Sequence, residues 1–133
     1  MIMSHAKTIL IVEDEKPVRY PLRDKLTWEG FTVFEAEDGQ EGLKKALELH
    51  PDIILLDIVM PKLDGLTVLK KLRLDAWGKD AIVILLTNLG DIDKIASAAE
   101  SGVADYLVKA DWKLEDVVLK VREKLAMVPK EEE

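Results

Sequence analysis

Apolar residues are not spread evenly along this chain. They gather in five short runs, Thr8 to Val12, Thr32 to Ala36, Ile53 to Leu56, Ala81 to Leu86 and Tyr106 to Val108. The stretches "ILIV", "IILL" and "AIVILL" lack polar alternation, as parallel strands covered on both faces do. "FTVFEA" is more mixed and predicts an edge strand. The segments between the runs carry helical spacing. After the fifth run, Leu114, Val117, Val118, Val121 and Leu125 share one face, with Lys113, Asp116, Lys120 and Glu123 largely opposite. Leu66, Leu69 and Leu72 form a stripe in the third segment, and Ile92, Ile95, Ala96 and Ala99 one in the fourth. Asp38 predicts an N-cap for the second helix, and His50-Pro51 closes it. In the first helix Pro17 suits the opening turn, while Pro21 predicts either hydrogen bonding that begins late, near Val18, or a bend.

This alternation, without internal repeat or linker, predicts an α/β fold: a doubly wound five-stranded parallel sheet with five helices and right-handed crossovers. The common order for such a sheet is 2-1-3-4-5. The expected division is an N-terminal extension over 1–7, one folded domain over 8–127 and an acidic tail over 128–133.

Composition narrows the class. A chain of 133 residues, 48% hydrophobic and 34% charged, suits one globular core. The net charge of −7 argues against a nucleic-acid-binding surface. The absence of cysteine excludes disulfides and thiolate metal sites and suits a reducing compartment. No apolar run is long enough to span a membrane, and "MIMSHAK" lacks the core of a signal peptide, so a cytoplasmic location is expected.

In open α/β sheets the ligand site lies beyond the strands' carboxyl ends, where the strand order reverses. The first run ends in Glu13 and Asp14, the third in Asp57, the fourth in Thr87 and the fifth in Lys109. With the first and third strands adjacent, three carboxylates converge. Such groups repel one another, and a hard divalent cation with oxygen ligands relieves the conflict. Mg²⁺ is the expected ion and Mn²⁺ a substitute. Asp57, with an ordinary carboxylate pKa of about 3.9, needs no base to act as a nucleophile. A carboxylate, a cation, an amine and a hydroxyl make a set suited to phosphoryl transfer.

The elements "ILIVEDE", "DIILLDIVMPKLDG", "ILLTN" and "ADYLVK" occur in order between Thr8 and Met127. In these the chain resembles the receiver domains of two-component response regulators, the chemotaxis-receiver-like, flavodoxin-like fold. The resemblance implies that Asp57 is the phosphoacceptor, and that Glu13, Asp14, Asp57 and the backbone carbonyl of Val59 hold the metal. It implies that Lys109 contacts the phosphoryl oxygens, and that Thr87 turns inward while Tyr106 swings from exposed to buried. A histidine kinase or phosphotransfer protein would be the donor.

Some positions depart from the family's usual residues. Ala110 follows Lys109 where proline with a cis bond is common; a cis bond before a non-proline residue costs roughly 2.5–4 kcal/mol, so trans is expected. Asn88 follows Thr87 where a small residue is usual. Val59 and Leu89 are apolar where many receivers carry a polar side chain that positions the hydrolytic water. Val59, Asn88 and Leu89 are therefore expected to tune dephosphorylation, and to slow it.

The expected function is a stand-alone switch in which phosphorylation of Asp57 biases the face built from the fourth helix, fifth strand and fifth helix. With no output domain fitting after Met127, the signal is expected to leave through a protein contact: an unidentified downstream partner, a kinase relay or a homodimer through that face. Neither nucleic acid nor membrane is an expected direct partner, and the only chemistry expected is self-phosphorylation and self-dephosphorylation, not enzymatic turnover. One rival is an interaction module that no longer phosphorylates. Another is a phosphohydrolase of the haloacid dehalogenase type, which places a second acid where Val59 stands. Blander roles also exist: Thr87 as a locally bonded hydroxyl, Tyr106 as packing, and Trp28, Trp77 and Trp112 packed at helix ends. His5 and His50 suggest no pair.

Overall fold

A computed structural model describes residues 6–126. Most of the expected N-terminal extension and all of the acidic tail lie outside the described residues. The strands are β1 (Thr8–Val12), β2 (Thr32–Ala36), β3 (Ile53–Asp57), β4 (Val83–Thr87) and β5 (Asp105–Val108). The helices are α1 (Lys16–Trp28), α2 (Gly39–Leu49), α3 (Gly65–Arg73), α4 (Asp93–Ala99) and α5 (Leu114–Ala126). The strands form one parallel sheet in the order β2-β1-β3-β4-β5, as expected.

Alternate residues of each strand feed opposite layers. Ile9, Ile11, Ile53, Leu55, Ile84 and Leu86 pack with Leu22 and Leu26 of α1 and with Val117, Val118 and Val121 of α5. Leu10, Val12, Ile54, Leu56 and Leu85 pack with Ala46 of α2, Val68, Leu69 and Leu72 of α3, and Ala98 of α4. Burying both faces explains why these strands read as unbroken apolar runs. β2, whose mixed sequence predicted an edge, is one.

Local signals were kept where a cap carries them. The Asp38 carboxylate accepts from the Glu41 amide at 2.8 Å, and His50 ends α2 in the left-handed region with φ 48°. In α1 the Glu15 carbonyl accepts from the amides of Val18 and Arg19, so bonding does start at Val18, and Pro21 is accommodated within the helix.

Three expectations need correction. β4 begins at Val83 and not at Ala81, because the Ala81 amide is taken by the Gly78 carbonyl in a 3₁₀ turn over Gly78–Asp80. In α4 the inward residues are Ile95 and Ala98, while Ile92, Ala96 and Ala99 are exposed. A 3₁₀ turn at Leu89–Asp91 precedes the helix and shifts its phase. Trp28 does not pack: it is 84% exposed, two residues on from the inward Leu26 and so on the opposite side of α1. Trp112 does pack, partly buried, against the α1–α5 layer. Trp77 stacks on His50 with ring centres 4.3 Å apart.

Candidate functional site

Parallel register decides which side chains meet. Val12 of β1 stands beside Leu56 of β3, Asp57 beside Leu86 of β4, and Thr87 beside Val108 of β5. The next residues along, Glu13, Asp14 and Lys109, therefore leave the sheet at the same rim as Asp57 and Thr87. One carboxylate oxygen from each of Glu13, Asp14 and Asp57 lies within 4.8 Å of the others. Lys109 Nζ sits among them, 2.5 Å from Glu13 Oε1, 3.1 Å from Asp57 Oδ2 and 3.7 Å from Glu15 Oε1.

Glu13, Asp57 and Thr87 are buried, and Asp14 is half-buried. Burial pushes the Glu13 carboxyl from 4.5 up to about 7, helped by the Asp57 charge and opposed by Lys109. Burial also raises Asp57, against the pull of Lys109. For Lys109 burial works downward, but the Glu13 and Asp57 carboxylates outweigh it and the amine is raised.

Glu13 Oε1 and Lys109 Nζ are the two buried side-chain atoms without a hydrogen-bond partner among the described residues. The two atoms face each other as an ion pair. Orphaned buried polar atoms are rare in folded proteins. An all-oxygen carboxylate set with one such atom fits a hard divalent cation, and an amine without a directed acceptor fits an anion beside it.

Several neighbours were not singled out from the sequence. Gly65 is one: its amide donates to the Ile58 carbonyl at 2.7 Å, and a Cβ there would stand 2.1 Å from the Asp57 carbonyl oxygen. The "LDG" ending of the second motif is its only trace in the sequence. The exposed Glu15 carboxylate, in the "EDE" of the first motif, borders Lys109. Arg19 bonds the Glu13 carbonyl at 2.6 Å and gives no sequence signal beyond its place in α1.

The remaining expected residues lie around this centre. The Thr87 hydroxyl donates to the Asn88 carbonyl at 3.1 Å, the local bond of the blander reading. Tyr106 is 42% exposed, and Val59, Asn88 and Leu89 are exposed. The Val59 carbonyl accepts no hydrogen bond among the described residues. The Lys109–Ala110 bond is trans, as expected.

The description of the response regulator receiver domain matches residues 9–122. The chain belongs to that family. It is 38% identical over 114 residues to the DNA-binding dual master transcriptional regulator RpaA of Synechocystis sp., covering 86% of this chain and 47% of that protein. It is 37% identical to the response regulator MprA of Mycobacterium ulcerans, covering 86% and 48%. The chain thus spans about half the length of these curated relatives. Among solved structures it is similar to the receiver domain of a signal transduction histidine kinase from Syntrophus aciditrophicus, with TM-score 0.84, 29% identity and 96% of each chain covered. A CheY-like receiver domain protein from Methanospirillum hungatei gives TM-score 0.84 at 26% identity, covering 92% and 95%. No helix among the described residues is long and apolar enough to cross a membrane.

Proposed function

We propose that this receiver, over residues 8–127, is a phosphorylation switch with Asp57 as its acceptor. The observation that carries the reading is the meeting of Glu13, Asp14, Asp57 and Lys109 at one rim. Glu13, Asp14, Asp57 and the Val59 carbonyl would hold Mg²⁺, or Mn²⁺ in its place. When bound, the cation neutralises charge on the carboxylates and on the incoming phosphoryl oxygens.

The chain's own residues do the rest. An Asp57 oxygen attacks phosphorus as the bond to the donor's imidazole nitrogen breaks. The electron pair stays on that nitrogen; because the ring's other nitrogen carries a proton, the imidazole leaves neutral, and the product is an acyl phosphate. Lys109 exchanges its contact with Asp57 for the phosphoryl oxygens. Thr87 gives up its bond to the Asn88 carbonyl and donates to the phosphoryl group, leaving room for Tyr106 to turn inward. That shift biases a two-state equilibrium of the face formed by α4, β5 and α5.

The donor is a histidine kinase or phosphotransfer protein, and the output passes through a protein contact at that face, a second copy included. A receiver acting alone and one joined to an output domain share this switch. The net charge of −7 supports a receiver that does not itself contact nucleic acid, and the acidic rim serves one self-modification and its reversal in place of steady turnover. Incubation with acetyl phosphate and Mg²⁺, read by intact mass, tests the class. Wild type should gain one phosphoryl group that Asp57→Asn and EDTA-treated protein do not. Equal labelling of wild type and Asp57→Asn would remove Asp57 from the role.

A further inference from the structure

Arg19 lies in the second turn of α1, yet it is only 2% exposed. Its guanidinium donates from Nη1 to the Glu13 carbonyl at 2.6 Å, from Nε to Glu35 Oε1 at 3.0 Å and from Nη2 to Glu37 Oε1 at 3.2 Å. Glu35 also faces Arg23 at 3.5 Å. A buried cation is tolerated when its charge and donors are matched, and Glu35 and Glu37 at the end of β2 supply that match. The planar fork reaches three acceptors at once, which an ammonium on a flexible stem does not.

The Glu13 residue is thereby held from both sides, since its own amide donates to the Ala36 carbonyl at 3.1 Å. The Glu13 carbonyl and the Asp14 amide share one rigid peptide plane. Fixing that plane sets the directions in which the two neighbouring carboxylates leave the chain. These bonds are independent of Asp57 and Lys109, and they reach the acidic pair from the opposite side.

We propose that Arg19 is a positioning residue for the divalent cation: its bond to the Glu13 carbonyl orients the Glu13–Asp14 peptide so that both carboxylates face Asp57. The inference rests on the cation site proposed above. Its test is Mg²⁺ binding by titration calorimetry with no phosphodonor present, on wild type, Arg19→Gln, Arg19→Lys and Glu37→Gln. The ¹⁵N shift of the Asp14 amide is recorded alongside.

Arg19→Gln should weaken Mg²⁺ binding about tenfold, the low end of the cost of losing an outer-shell partner, and Arg19→Lys less. Glu37→Gln removes an exposed ion pair but leaves the bond to Glu13, so its affinity should match wild type. The Asp14 amide should shift in both Arg19 variants and stay in place in Glu37→Gln. If Arg19→Gln does not fold, the comparison of Arg19→Lys with Glu37→Gln decides. A folded Arg19 variant with wild-type Mg²⁺ affinity overturns the assignment, as does an equal loss in Glu37→Gln. A wild type that binds no Mg²⁺ would instead remove the cation site itself, before Arg19 enters.

Discussion

Val59 and Leu89 follow Asp57 and Thr87 by two residues, and both present apolar side chains to solvent at the rim of the site. Hydrolysis of an acyl phosphate needs a water aligned with the phosphorus, and a polar side chain at the rim orients it by hydrogen bonding. Neither residue can do so. The double substitution Val59→Asn with Leu89→Glu should therefore hasten loss of the phosphoryl group by about tenfold, short of the ~10²–10⁴ given by a well-placed general base. Decay of the phosphorylated protein, followed by intact mass after donor removal, reads it; an unchanged half-life would count against water positioning at these two places. The residues of the rim were legible in the sequence because strand ends and strand order locate them without side-chain detail. Arg19 was not, since an arginine on an amphipathic helix ordinarily faces water, and only the Glu35 and Glu37 carboxylates make its burial tolerable. Gly65 was hidden for another reason: the approach of α3 to the Asp57 carbonyl is a contact in space with no periodic trace.

Among the elements, those with a long buried face were read correctly and the one with a short face was not. α5 keeps Val117, Val118 and Val121 inside over 13 residues, as its spacing predicted. α4 has seven residues and only Ala98 fully buried, so few contacts fix its phase and the preceding 3₁₀ turn decides it. The same shortage makes α4 the weakly held side of the face proposed to switch. Its amides should exchange with solvent at least an order of magnitude faster than those of α5, as segments with little buried apolar surface do. Hydrogen exchange with peptide-level mass readout checks this, and equal protection in the two helices would contradict it. The outward Ala96 and Ala99 leave a low-relief surface there.

At the scale of the whole molecule, an acidic cluster buried for function sets how stability responds to pH. In the cation-free protein Glu13 ionises at about 7, against 4.5 when unburied. Between those values the folded state keeps a proton that the unfolded chain releases, so stability falls as pH rises through the window and levels off above it. The displacement corresponds to roughly 3 kcal/mol, shared between the neighbouring Glu13 and Asp57 carboxyls. The caps work in the other direction. The Glu41 amide holds Asp38 below its usual 3.8, so that contribution is present above this value and is lost only in stronger acid. In EDTA, the melting temperature should therefore decline from about pH 4.5 to about pH 7, and Glu13→Gln should flatten the decline. Cation binding requires ionised ligands, so added Mg²⁺ should raise the melting temperature more at the neutral end than at the acidic end. A cation-free protein whose stability rises from pH 5 to 7 would show that Glu13 ionises freely in the fold, and that the charge conflict proposed to recruit the cation does not exist.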